Sequence, residues 1–241
     1  MLNQTDFYIS CDKLSDVSAD ISPKLTRYLM RNILPQYAKE LRKLPLRPFS
    51  AYSMHAESGI LFRLSTLNDQ AIHLTDVLAR KNTIELGETC TAYNIQQVSK
   101  KNEMHETELF SSLAGKNFNL NIITPAMYRA SGIISNAPVI QSYFYSVICR
   151  INMFSGIKID FREFLSAYKS LIINSYSLSS TTYSLCQSCV PAVTGEMNIT
   201  FSNDNIRSEK IVKTVLAYAI YSGIGSDTSL GMGGFSAEPV Q

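Results

Sequence analysis

The stretch Gly223–Gly234, GIGSDTSLGMGG, holds five of the eleven glycines in a chain of 241 residues. It follows directly on an amphipathic run, IRSEKIVKTVLAYAIYS, whose Ile211, Val215 and Ala219 recur at helical spacing. One glycine suffices to stop a helix. The others imply a backbone that turns at positive φ, or that lies closer to a ligand or another backbone than a Cβ permits. Turned amides can cradle an anion, and Ser226, Thr228 and Ser229 add hydroxyl donors. The loop is not a P-loop, because the Gly-Lys-Ser/Thr ending is absent. Nor is it the dinucleotide fingerprint, which joins a strand to a helix with different spacing. By spacing alone, a structural loop and an anion-binding loop stand equally open.

Upstream, the pattern of elements occurs twice. FYISC is a short strand. Ser22-Pro23 opens a helix, with serine at the cap and proline at the first helical position, and Leu25, Leu29 and Ile33 form its apolar stripe. Pro35 interrupts the run, which restarts as PQYAKELRKL. RPFSAYSM and GILFRLSTL are strands, the second alternating through Ile60, Phe62 and Leu64. DQAIHLTDVLARK is a helix, and a strand runs through Thr89–Val98. Strand, helix, two strands, helix, strand is the ferredoxin-like order. After a hydrophilic join, SKKNEMHETELFSSLAGKN, the order returns. NFNLNIIT is a strand, Pro138–Asn174 is helical in two pieces, and SLSSTTYSL and AVTGEMNITFS are strands. Ser208–Tyr221 is a helix, and GMGGFSAEPV is a last short strand. The expected fold is α+β, two tandem ferredoxin-like domains of the βαββαβ type spanning residues 1–99 and 116–241. The glycine loop joins the last helix to the last strand.

Composition narrows the function. Apolar residues make up 45% and charged residues 17%, ordinary for a globular protein. No apolar run has the length of a membrane span, and MLNQTDFYIS has no signal-peptide pattern, so the expected location is the cytoplasm. Five cysteines without an export signal argue against a disulfide framework. The Cys186/Cys189 pair lies in TTYSLCQSCVPAVTG, which reads as extended chain. It lacks both the second ligand pair of a zinc site and the helix start of a redox motif. No cofactor or metal is expected.

Charge is distributed unevenly. Lys24, Arg27, Arg31, Lys39, Arg42, Lys43 and Arg47 face the single acid Glu40 between Ser22 and Arg47. That segment carries six net positive charges in a chain whose total is +2. Such a local field suits a polyanion.

The stretch AVTGEMNITFSNDNIRSEKIVKTVLAYAIYSGIGSDTSLGMGGF resembles the carboxyl-terminal signature of the CRISPR repeat-processing endoribonucleases, the Cas-six family of the RAMP superfamily. Gly223-Ile224-Gly225 and Gly231-Met232-Gly233 reproduce its two Gly-hydrophobic-Gly triplets with the family's gap of five residues. NLNIITPAMYRASG and RPFSAYS resemble further family segments, so the likeness runs along most of the chain. The resemblance implies an endoribonuclease that binds CRISPR repeat RNA and cuts precursor transcripts without a metal. The ribose 2′-hydroxyl attacks the adjacent phosphate, and the enzyme can stay with the guide RNA product, alone or within a multi-subunit effector complex. It also implies that the glycine loop, through Gly223, Gly225, Ser226, Thr228, Ser229, Gly231 and Gly233, holds RNA against a basic surface of Lys24, Arg27, Lys39 and Arg47.

In most of the family the general base is a histidine in a Leu-His pair before the Pro-Phe segment; here the pair is Leu41-Arg42. Arginine stays protonated and is a poor base, but it can orient a phosphate and stabilise the charge of a transition state. The candidate catalytic set is therefore Arg42, Lys43 and Arg31, with Tyr28 as a hydroxyl donor and His55 as the histidine nearest the same segment. The replaced histidine leaves an alternative from another class, a non-cleaving RNA-binding RAMP protein. A regulatory protein that binds a small anion is a third reading.

Overall fold

The computed structural model describes residues 1–10, 21–57, 59–86, 91–98, 102–130, 132–136, 140–185, 188–202 and 205–240. The first half builds a sheet from β1 (Leu2–Ser10), β2 (Phe49–Ala56), β3 (Gly59–Thr66), β4 (Thr83–Leu86) and β5 (Thr91–Gln97), in the order β2-β3-β1-β5-β4. Every pairing is antiparallel, and α1 (Ile21–Asn32), α2 (Pro35–Lys43) and α3 (Ile72–Ala79) connect the strands. Taking β5 as the fourth strand, this is the ferredoxin-like order. Strand alternation sets the core. Phe7 and Ile9 of β1, Ile60, Phe62 and Leu64 of β3, and Leu25 and Leu29 of α1 share one apolar cluster.

The second half repeats the plan. β7 (Asn117–Ala126), β10 (Leu171–Leu185), β11 (Ser188–Phe201) and β12 (Phe235–Pro239) form an antiparallel sheet in the order β10-β11-β7-β12. Between β7 and β10 lie a small hairpin, β8 (Tyr128–Ala130) with β9 (Ile133–Ser135), and the helices α4 (Ile140–Phe154) and α5 (Phe161–Tyr168). α6 (Ile206–Ser222) leads into the glycine loop. Phe118, Leu120 and Ile122 of β7 pack with Phe144 and Val147 of α4 and with Val215 and Ala219 of α6. The chain thus folds as two tandem ferredoxin-like units.

The end of α6 also packs on the first sheet, on the face away from α1 and α3. Ser50 Oγ donates to the Tyr221 carbonyl at 2.5 Å, and Gln4 Nε2 donates to the Ile220 carbonyl at 3.3 Å. Leu2 and Leu67 accordingly join the core of the second half. The first sheet is covered on both faces, which carries the loop after α6 to α1 and β2.

Local expectations shift in several places. Ser22 does not cap α1: the helix already includes Ile21, two residues before the expected first helical position, and the Ser22 hydroxyl bonds Ser53 Oγ at 2.8 Å instead. Leu171–Asn174 are strand rather than helix, because the β-branched Ile172 and Ile173 extend β10 against Thr200 and Ile199. The hydrophilic join supplies β6 (Asn102–Met104), which pairs with β1, and it buries Leu109 and Leu113. β12 begins at Phe235, after the glycines, since Gly231 and Gly233 take positive φ that a strand cannot hold. Of the CxxC pair, Cys189 lies exposed in β11; Cys186 falls outside the described residues.

Candidate nucleic-acid interface

Pro35 at the first position of α2 folds the chain back after α1. On α1, Thr26, Arg27, Met30 and Arg31 occupy one face, as residues three to five apart do. Together with Arg42 at the end of α2, Arg47 after it and Phe49 at the start of β2, they form one wall of a cleft of about 450 Å³. The opposite wall comes from the second half: Arg150 of α4 and the loop residues Asp227, Thr228, Ser229 and Leu230. The walls are tied where Thr26 Oγ1 donates to the Ser229 carbonyl at 2.6 Å. Five arginines, separated along the chain by as few as four and as many as 123 positions, therefore meet around one Asp227.

The glycines act differently from the anion cradle that their spacing allowed. The Gly223 amide donates to the Ala219 carbonyl at 2.8 Å, Ile224 to Gly233 at 2.9 Å, and Gly225 to Tyr143 at 3.3 Å. Ser226 donates to Met127 at 2.8 Å and Gly233 to Pro125 at 2.9 Å. These amides are occupied by the protein itself, and Gly223, Gly225, Gly231 and Gly233 are buried. Their role is close approach. A Cβ at Gly231 would lie 2.6 Å from that of Ser22, and one at Gly233 would overlap the Ile224 carbonyl oxygen. What the loop presents to the cleft is its tip. Asp227 sits in the left-handed region at φ 55° and accepts an ion pair from Arg129 at 3.4 Å. Thr228 and Ser229 line the cleft. Ser226 faces away and accepts a hydrogen bond from the Arg129 amide at 3.0 Å.

Of the residues singled out in the sequence, the cleft gathers Arg27, Arg31, Arg42, Arg47, Thr228 and Ser229. Lys24, Lys39 and Lys43 are exposed on the same helices but do not line it. Tyr28 lies elsewhere. It packs against the core of the first half, and burial and the Glu85 carboxylate of β4 raise its hydroxyl pKa. His55 is exposed near the far end of β2, six residues beyond Phe49 or about 20 Å at strand rise. Neither belongs with Arg42.

Sequence reasoning missed Arg150 and Asp227. Arg150 is 4% exposed, with Nη1 and Nη2 each 3.3 Å from the Gly225 carbonyl and Nη1 also 3.3 Å from that of Ser146. A signal existed: in IQSYFYSVICRINMF it falls seven positions after Tyr143 and three after Val147, on the stripe that helical spacing buries. Arg47 is lowered in pKa, first by burial and then by the neighbouring Arg42 charge. A cation held half-buried beside another cation is the electrostatic mark of a site awaiting an anion.

A family model described as CRISPR-associated endoribonuclease Cas6 matches residues 120–235, the segment from β7 through the glycine loop. The match spans 116 of the chain's 241 residues, and two curated relatives extend the likeness beyond it. A Cas6 endoribonuclease of Streptococcus thermophilus is 22% identical over 239 residues, covering 94% of this chain and 95% of that one. One of Mycobacterium tuberculosis is 21% identical over 234 residues, covering 92% of this chain and 73% of that one. The fold agrees along the whole length. A Cas6 product complex superposes with a TM-score of 0.79 at 17% identity, covering 99% of this chain and 100% of that one. Thermus thermophilus Cas6 gives 0.73 at 17% identity, covering 98% of each. Arg42, which lines this cleft, stands where the resemblance read from the sequence implies a histidine.

Proposed function

We propose that this protein is a member of the Cas6 family that binds CRISPR repeat RNA in the cleft between its two halves and cleaves it there to release guide RNAs. The supporting observation is the meeting of Arg27, Arg31, Arg42 and Arg47 with the Thr228-Ser229 tip of the glycine loop. Among solved relatives are a Cas6 product complex and a Cas6 substrate-mimic complex. Residues 1–99 supply the cationic wall and residues 116–241 the loop.

The reaction is attack of a ribose 2′-oxygen on the adjacent phosphorus. The P–O5′ bond breaks, giving a 2′,3′-cyclic phosphate and a 5′-hydroxyl. The 2′-hydroxyl proton passes to solvent, and the 5′-oxygen takes up a proton as it leaves. Arg42 and its neighbours hold the phosphate in line for attack and stabilise the charge that grows on its non-bridging oxygens. Arginine supplies no base. A cleft of this make-up forgoes the roughly 10²- to 10⁴-fold that general acid–base catalysis contributes, and it relies on positioning and charge.

The test is incubation with repeat RNA in EDTA, beside the same RNA carrying a 2′-deoxy sugar at the scissile nucleotide. A product that the deoxy sugar abolishes is expected. Binding without product would favour the non-cleaving alternative.

A further inference from the structure

Two guanidiniums in the cleft are enclosed more deeply than their protein partners account for. Arg150 Nε is buried with no hydrogen-bond partner, and the other nitrogens meet only backbone carbonyls. Among the described residues no carboxylate pairs with it, since Asp227 is engaged by Arg129. Burial pushes the Arg150 guanidinium down to about 10, with Tyr218, Cys149 and Asp227 only partly offsetting it. On the facing wall, Arg47 Nη1 is likewise buried without a partner. Stranding a cation in this way costs stability unless an anion completes it. The two arginines come from opposite halves of the chain and line the same space.

We infer that Arg47 and Arg150 together form a receptor for one phosphate group, and that this anion bridges the two halves of the protein. The inference rests on the RNA reading above, with a backbone phosphodiester as the natural occupant. Guanidinium forks suit it, because their paired N–H groups match two phosphate oxygens at once. Thr228 of the loop lines the same space. RNA would then order the junction as well as occupy it. Arg150 would act twice, fixing the loop through the Gly225 carbonyl and receiving the ligand's charge.

The experiment uses the full chain, repeat RNA and inorganic phosphate, with R47Q, R150M and the double variant. Phosphate should raise the melting temperature of the wild type above a chloride control of equal ionic strength, and it should not do so in R47Q. RNA affinity against salt should flatten by about 0.7 in the logarithmic slope when the contact is lost, the share of one single-strand phosphate. Because both arginines hold one group, the double variant should bind RNA only slightly worse than the weaker single variant. Additive losses would mean two separate contacts and overturn the receptor, as would an unchanged phosphate response in R47Q. R150M also loosens the Gly225 anchor; should it fail to fold, R47Q and the phosphate response decide alone. Phosphate stabilisation that depends on Arg47, in a protein that binds no RNA, would support the receptor and sink the ribonuclease reading instead.

Discussion

Replacing Gly233 by alanine tests what the glycine loop is for. The residue has φ +66°, and an added Cβ would overlap the Ile224 carbonyl oxygen of the neighbouring loop strand. That oxygen is backbone and cannot swing aside. The left-handed conformation costs a non-glycine residue about 1–2 kcal/mol. Forcing an extra carbon into a packed site adds about 1–3 kcal/mol. The sum, about 2–5 kcal/mol, is a large part of the roughly 5–15 kcal/mol that holds an ordinary domain together. For a chain of this length it corresponds to a loss of about 4–20 °C in Tm. Gly115 provides the control. It has φ +83°, but nothing lies within 4 Å of its would-be Cβ, so G115A should lose only the conformational share. Thermal and urea unfolding of both variants beside the wild type make the measurement. If G233A were no less stable than G115A, close backbone approach would not be the reason for these glycines.

Arg42→Ala should lower the single-turnover cleavage rate by at least about tenfold while changing RNA affinity by less, as expected for contacts made chiefly in the transition state. Equal losses in both would make Arg42 a binding residue only. His55→Ala and Tyr28→Phe should each cleave within about twofold of wild type, since both side chains lie away from the cleft; a tenfold loss in either would reopen its role. Burial pushes the hydroxyls of Tyr37 and Tyr143 up from 10.0 to about 12, so the neutral phenols favour the folded state. That contribution is complete below pH 10.0 and is lost as pH climbs through about 12. Neither hydroxyl has a partner among the described residues, so the Phe double variant should fold as well at pH 7 and lose less stability in alkali, read by circular dichroism.

Much of the fold was legible because burial follows period. Ile60, Phe62 and Leu64 alternate and all enter the core, and the stripe through Val215 and Ala219 does the same on α6. Legibility failed where tertiary pairing overrode local pattern. Ile172 and Ile173 could continue a helical run, but the facing strand β11 extends them into β10. Leu109 and Leu113 lie among polar neighbours, yet both join the core of the second half. The site divided in the same way. The basic run over α1 and α2 was visible as charge. The separation of Arg31 and Arg42 from Tyr28 and His55 was not, because it depends on which helix face turns toward the second half.

The amino-acid sequence determined the ferredoxin-like order of the main elements, the helical break at Pro35, the concentration of cations in one segment, and the need for bare backbone after α6. Each is a local property, written in spacing or in the absence of a Cβ. Tertiary structure alone decided that the glycine amides are spent within the protein, that the tip at Thr228 and Ser229 faces the cations, and that Arg150 reaches the same cleft from another helix. Those outcomes follow from how α6 seats on the first sheet. No spacing along the chain encodes a contact between segments that far apart.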